Sequence, residues 1–308
     1  MLRWLLVLPS VVLAVYAAFA AFKYTRMIST IFLSLVYRPS PDAVDGVRGE
    51  RIAILDSADR EIQALFLECK GSDRIVVFCH ESGSTKESWE KYAFFFPALG
   101  YHVLSVDLGE NPQDPDKPNS LLQWPCEKEL EQLLTVVRWT KHAISERARV
   151  VLFGISNGAD LALAASLRDS AVEAVIADGL FSMKEIFRDY IRRWAPILVR
   201  PNLFGENYPD WVVNIFAELG FWHCQRRTRQ KFVDVERLLR KKHVPLLMIH
   251  GEDDDYVPSS HQKFLEKLEG RKSAGRFVAS QAGHNQAIVQ SPSGYETQVR
   301  SFLEKAIR

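Results

Sequence analysis

Arg149-Val150-Val151-Leu152-Phe153-Gly154-Ile155-Ser156-Asn157-Gly158-Ala159-Asp160-Leu161-Ala162-Leu163-Ala164-Ala165-Ser166-Leu167 is the passage from which the rest of the chain is most easily read. After Arg149 its next four residues, Val150–Phe153, are a short apolar run opened by two β-branched side chains, the pattern of a buried strand. From Ala159 onward it is rich in alanine and leucine, which favour helix. Between the two stands G-x-S-x-G. A sharp strand-to-helix turn needs small residues on both sides of its apex, because the backbones approach too closely for side chains. Ser156 at the apex is thereby pushed out at the sheet edge, above a helix N-terminus that favours negative charge. A G-x-S-x-G string between a strand and a helix is the signature of a nucleophilic serine.

The flanking sequence repeats the same alternation. Arg51–Leu55 and Ile62–Cys69 read as an opening pair of strands around a polar turn at Ser57-Ala58-Asp59. Strands then follow at Arg74–Cys79, Tyr101–Val106, Ala171–Ala177, Val244–Ile249 and Gly275–Ala279. Helical spacing covers Glu87–Leu99 and Glu127–Ile144. Short apolar strands alternating with helices predict an α/β fold, a mostly parallel sheet with helices on both faces. Functional residues belong at the carboxyl ends of its strands. From Ser182 to Lys242 no strand is apparent, and Phe187, Tyr190, Trp194, Trp211, Phe221 and Trp222 are mixed with basic residues. The segment reads as a helical insertion placed as a lid would be.

A serine hydroxyl needs a base within hydrogen-bond reach to act as a nucleophile. His284, in Gln281-Ala282-Gly283-His284-Asn285, follows the last strand, and Gly283 suits a loop that presents a ring there. His102, His142 and His261 have no such placement. The imidazole in turn needs a carboxylate to hold its tautomer. Glu252, Asp253, Asp254 and Asp255 all follow the strand Val244–Ile249, and chemistry alone leaves the choice among them open. The chain order serine, acid, histidine matches one known arrangement of such a triad.

On these motifs the region from Arg51 to the C-terminus resembles the α/β-hydrolase superfamily. With its apolar N-terminus it is similar to the membrane-anchored, BEM46-like branch of α/β-hydrolase-domain proteins. The resemblance places the acid in a motif H-G-x-x-D-x-x-V-P, met by His250, Gly251, Asp254, Val257 and Pro258, and so implies Asp254. It extends to Gly283-His284-Asn285 and to a helix from Gly294-Tyr295 to Phe302. It also implies an oxyanion hole made by the backbone N–H groups of Asn157 and of Ser82, in His80-Glu81-Ser82-Gly83-Ser84. Related chains carry His-Gly where this one has His80-Glu81, which brings a carboxylate near the site.

Trp4 to Phe22 carries no charge, and as a helix with a rise of about 1.5 Å per residue it nearly matches a bilayer's hydrocarbon core. Pro9 falls in its first turns, where a helix tolerates proline best. A second apolar stretch, Ile28–Tyr37, is too short to span and is expected at the interface or packed on the domain. The competing reading is a cleaved signal peptide, with Met-Leu-Arg as its basic start and Ala18-Phe19-Ala20 as the cleavage site. Lys23, Arg26 and Arg38 outnumber Arg3, which tilts the domain towards the cytoplasm. The organisation expected is an anchor and linker over 1–40, with a break at Pro39-Ser40-Pro41, then one hydrolase domain over 41–308 whose lid is 182–242.

Composition narrows the function classes. A net charge of +1 provides no field for nucleic acid, and no Cys/His cluster has zinc spacing. Cys69, Cys79, Cys126 and Cys224 are widely spaced and read as small hydrophobes in a reducing compartment, with a disulfide between two of them as the alternative in an oxidising one. There is no Asn-x-Ser/Thr sequon. No cofactor or metal is implied; the partners expected are an acyl substrate, small or lipid, and a membrane. Lys184, Arg188, Arg192, Arg193, Arg200, Arg226, Arg227, Arg229 and Lys231 in the insertion form either a solvated face or a surface for anionic lipid. An aminopeptidase or an acyltransferase could run on the same triad, an aminopeptidase taking Glu81 or the acidic run as an anchor for the substrate amine. A silent fold serving as a tethered interaction module is the other class.

Overall fold

The computed structural model describes residues 2–34, 47–109, 124–202, 204–240, 244–270 and 274–307. The Pro39-Ser40-Pro41 break, the end of the Ile28–Tyr37 stretch and the end of the insertion at Lys242 lie outside these residues. The chain divides into two compact units. One is built around a sheet from residues 37–182 and 231–308, and the other joins the N-terminal helix to residues 183–230.

All eight strands read from the sequence form: β1 Glu50–Leu55, β2 Glu61–Leu67, β3 Arg74–Cys79, β4 His102–Val106, β5 Arg149–Ile155, β6 Val172–Asp178, β7 Leu246–Gly251 and β8 Ala274–Ala279. They lie in one sheet, in the order β1-β2-β4-β3-β5-β6-β7-β8. β2 runs antiparallel to both its neighbours, and β3 to β8 are mutually parallel. β2 stops before Cys69 because the Cys69 N–H is taken by Nδ1 of His102 at 3.0 Å instead of by a ladder partner. The other ring nitrogen of His102 meets the Ser72 carbonyl at 3.0 Å, which makes this histidine structural. β5 instead runs past Phe153, since Gly154 still pairs with Cys79 and Ile155 with Asp178.

The sheet is covered on both faces. One is packed by α3 (Glu127–Ala143), α4 (Asn157–Arg168), α7 (Val235–Leu239) and α8 (Ser259–Glu269), around Val77, Leu104, Leu130, Leu152 and Leu161. The other is packed by α2 (Trp89–Tyr92), α9 (Ala287–Gln290) and α10 (Pro292–Ala306), around Phe78, Phe96, Phe153, Tyr295 and Val299. The helix expected over Glu87–Leu99 is broken into three pieces: 3-10 turns at Lys86–Ser88 and Phe96–Leu99 with α2 between them. Pro97 is the reason for the break after α2. It has no N–H to offer the carbonyl of Ala93, and its ring clashes with a helical carbonyl at that position.

The other unit comprises α1 (Leu2–Ser34), α5 (Met183–Leu198) and α6 (Asp210–Thr228). α1 is one continuous helix and not two apolar segments, because nothing between Phe22 and Ile28 breaks helix. Pro9 accordingly lies inside it and not in its first turn. From Val11 to Phe22 its large apolar residues are exposed, whereas Tyr24, Ser29 and Phe32 are buried. Phe32 stacks on Phe187 of α5 with centroids 3.9 Å apart, and Ser29 reaches the Gly220 carbonyl of α6 at 3.4 Å. A Cβ at Gly220 would stand 2.9 Å from the Phe187 ring, so this contact requires glycine.

Candidate active site

The sheet order puts β4 on one side of β3 and β5 on the other. The chain therefore reverses its direction of winding between β3 and β5, and the connections leaving those strands run to opposite faces, to α2 and to α4, which makes their carboxyl ends the expected place for a site. Ser156 sits there, between β5 and α4, with φ 51° and ψ −114°. That backbone is left-handed for a non-glycine residue and stores roughly 1–3 kcal/mol of strain. Its surroundings hold it: the Ser156 N–H donates to the Asp178 carbonyl at 2.7 Å and its carbonyl accepts from Ala159 at 2.9 Å. A Cβ at Gly154 would come within 2.1 Å of the Gly158 carbonyl, and one at Gly158 within 2.2 Å of the Cys79 carbonyl. Both glycines of the motif are thus demanded by close backbone approach, one inside the turn and one across to β3.

The side chains singled out in the sequence meet at this edge. Ser156 Oγ lies 3.0 Å from Nε2 of His284, and Nδ1 of His284 lies 2.7 Å from Oδ2 of Asp254. All three are buried. Asp254 Oδ1 accepts the N–H groups of Tyr256 at 2.9 Å and Val257 at 2.7 Å, so the carboxylate is fixed from both sides. The Tyr256 ring packs 5.0 Å from that of His284. The two loops are tied together by the Asp253 N–H donating to the Ala282 carbonyl at 2.9 Å. Gly251 permits this, since a Cβ there would strike that carbonyl at 2.3 Å. Glu252 receives the Ser280 hydroxyl at 2.6 Å, a second tie between the same two loops.

Gly283 does not have the part read into it. The left-handed residues of the histidine loop are Gln281 and Asn285. Room for the imidazole comes from Gly179, at φ 70°, where a Cβ would lie 3.1 Å from His284 Cε1 and 2.8 Å from Asn285 Oδ1.

Asn157 opens α4, where the first N–H groups have no partner within the helix. Its side chain hydrogen-bonds Glu129, whose carboxyl burial pushes up to about 7. Ser82 lies in the loop leaving β3, in a turn closed by the Ser84 N–H to the Glu81 carbonyl at 3.1 Å. The contact of Gly158 with Cys79 and His80 brings this loop against the start of α4. Asp107, ending β4, pins the loop by accepting the Lys86 N–H at 2.6 Å and the Lys86 ammonium at 2.7 Å.

Glu81, the residue that departs from the family pattern, is turned inward. It is buried, its Oε1 accepts the Tyr92 hydroxyl at 3.0 Å, and its Oε2 has no hydrogen-bond partner among the described residues. A second buried acid, Asp178, accepts the Tyr295 hydroxyl at 2.9 Å. Burial pushes the Asp178 carboxyl up to about 7, with the negative charges of Asp254 and Glu81 adding to it and the Tyr295 bond opposing. Asp178 was not picked out from the sequence. The signal was there, a carboxylate ending an apolar parallel strand, but a strand closed at Ala177 hides it.

The model of the α/β hydrolase family matches residues 76–296 of the chain. The uncharacterized protein YqkD of Bacillus subtilis is 26% identical over 232 residues, which is 74% of this chain and 70% of YqkD. Among solved structures, an esterase of Pyrococcus furiosus superposes with a TM-score of 0.63 at 18% identity, covering 89% of this chain and 97% of its own. A thermophilic esterase of Thermogutta terrifontis with bound propionate gives 0.59 at 15% identity, covering 87% and 97%.

Proposed function

Because this chain belongs to the α/β hydrolase family, we propose that it is a serine hydrolase that cleaves acyl esters or thioesters through an acyl-enzyme. The observation that carries the reading is the unbroken relay from Ser156 through His284 to Asp254, at 3.0 and 2.7 Å. Ser156 attacks the substrate carbonyl while His284 takes its proton at Nε2. Asp254, acceptor at Nδ1, holds the ring in the tautomer whose Nε2 is free to receive that proton. The N–H groups of Asn157 and Ser82 face the negative charge that develops on the carbonyl oxygen. His284 then returns the proton to the leaving group. Water, activated by the same imidazole, releases the acyl group and restores Ser156.

Esters and thioesters are the reading taken first because Asp254 binds His284, Glu252 binds Ser280 and Glu81 is buried against Tyr92, which leaves Asp253 and Asp255, both exposed, as the acids an aminopeptidase would use. The membrane-anchored, BEM46-like reading belongs to the same proposal. It is supported by an apolar helix, Pro9–Ser34, long enough to cross a bilayer, which continues unbroken through Ala18-Phe19-Ala20 into residues buried in the helical unit.

A fluorophosphonate probe is expected to label the full chain at Ser156 and to fail on Ser156→Ala. Labelling that persists in this variant would exclude Ser156 as the nucleophile. Turnover of p-nitrophenyl esters set against aminoacyl anilides tests the substrate class, and faster anilide cleavage would transfer the reading to a peptidase.

A further inference from the structure

Between α1, α5 and α6 lies a cavity of about 260 Å³ whose walls are almost wholly apolar. Ala17, Ala20 and Ala21 of α1 form one wall, with small side chains that leave the space open. Trp194, Trp211 and Ile215 stand on the other, and all three are exposed. The volume exceeds the roughly 150 Å³ of an apolar cavity known to stay dry and to take up small hydrocarbons. Water finds few partners here: the hydroxyls of Tyr16 and Tyr24 at its edge already donate to the Arg200 carbonyl, at 3.3 and 3.4 Å.

The position of the cavity along α1 identifies its occupant. Thirty-three residues of helix extend about 50 Å, against a hydrocarbon core of about 30 Å. Roughly the last third of α1 therefore stands outside the core, and that is the part buried in the helical unit. The first basic residues after the apolar run, Lys23 and Arg26, mark the headgroup level. The cavity runs from Tyr16 to Phe32 and so crosses this level. Its Tyr16–Ala21 portion is continuous with the exposed apolar surface of Val11, Val12, Leu13, Val15 and Phe19.

We propose that this cavity is a binding site for one acyl chain of a bilayer phospholipid, whose headgroup lies at the level of Lys23 and Arg26. The inference rests on the anchored reading of α1 and is independent of the chemistry at Ser156. It assigns the exposed Trp194, Trp211 and Ile215 to the lipid as well.

The test uses the full chain in phosphatidylcholine vesicles containing a phospholipid with a diazirine in its acyl chain. After irradiation, adducts are mapped by mass spectrometry, and fluorophosphonate labelling of Ser156 is read in the same samples. Adducts are expected both on the exposed Val11–Phe19 surface and on Trp194, Trp211 and Ile215. Ala20→Phe, and separately Ala195→Phe on the α5 wall, should lower the second group about tenfold, as when about 1.4 kcal/mol of chain burial is lost, and spare the first. Adducts confined to Val11–Phe19 would overturn the proposal and leave the anchor standing. So would cross-links between two copies of the chain, or cavity adducts formed from a diazirine fatty acid but not from the phospholipid. A chain without any α1 adduct would defeat the anchored reading together with this one. Loss of Ser156 labelling in the parent would defeat only the hydrolase reading.

Discussion

Asp254 illustrates how much of the site depends on one side chain's surroundings. It lies 30 residues from His284 in sequence, and its two oxygens do different work. Oδ1 is held by two backbone N–H groups, and Oδ2 is left to hold the ring. In Asp254→Asn the amide can present its NH2 to Nδ1, and the tautomer then reverses. The expected result is a fall in kcat on the order of 10⁴-fold with KM little changed, measured on a p-nitrophenyl ester. A fall below tenfold would remove Asp254 from the relay. Asp178 gives a pH effect instead. Its value near 7 lies above the ordinary aspartate value of about 3.9. Between about pH 4 and 7 the folded chain therefore keeps a proton that the unfolded chain has released. Stability contributed by this group is full below that window, is lost as pH rises through it, and stays lost above. Asp178→Asn, which still accepts from Tyr295, should match the parent at pH 4 and exceed it at pH 8 by on the order of 4 kcal/mol in denaturant unfolding. Equal stability at pH 8 would contradict the buried charge.

At the scale of elements, the turn at Ser156 and the long N-terminal helix are fixed by different forces. The turn is held by steric exclusion: two glycines that backbone contact leaves no choice about, and a strained serine between them. α1 is held by burial. Its Phe32 is almost fully enclosed and stacks on Phe187. Phe32→Ala should cost about 3–5 kcal/mol within the helical unit. Hydrogen exchange of the full chain in detergent is expected to quicken in α5 and α6. Unchanged exchange in those helices would show that α1 does not support them.

For the whole molecule, the N-terminal segment is the main open choice, because an anchor and a signal sequence share composition. The fold distinguishes what each would leave behind. Cleavage after Ala20 would cut one continuous helix and remove the Tyr16 hydrogen bond to Arg200 along with part of the cavity wall. The chain isolated from membranes is therefore expected to keep the residues on both sides of Ala20 in one uninterrupted stretch, read by peptide mass mapping, and to resist alkaline extraction. A chain starting at Ala21 would establish cleavage. The basic residues of the insertion are also partly accounted for at this scale. Lys184 pairs with Glu218 at 2.8 Å, Arg188 with Glu185 at 2.6 Å and Arg192 with Asp210 at 3.2 Å. Arg193 and Arg226 lie over tryptophan rings.

The sequence by itself determined the eight strands, the serine turn and the order of the three residues that meet in the relay. Each is written in local terms: β-branched apolar runs, glycines about a serine, a histidine after the last strand. It could not choose Asp254 among four neighbouring acids without a family motif, because only the loop geometry decides which carboxylate faces an imidazole. The break at Pro97 was legible but outweighed by the helical spacing around it. Asp178, the inward turn of Glu81, the role of Gly179 and the seating of α1 against α5 and α6 were decided by tertiary structure alone. These all depend on contacts between residues far apart in the chain, and composition or periodicity within one segment carries no record of what packs against it.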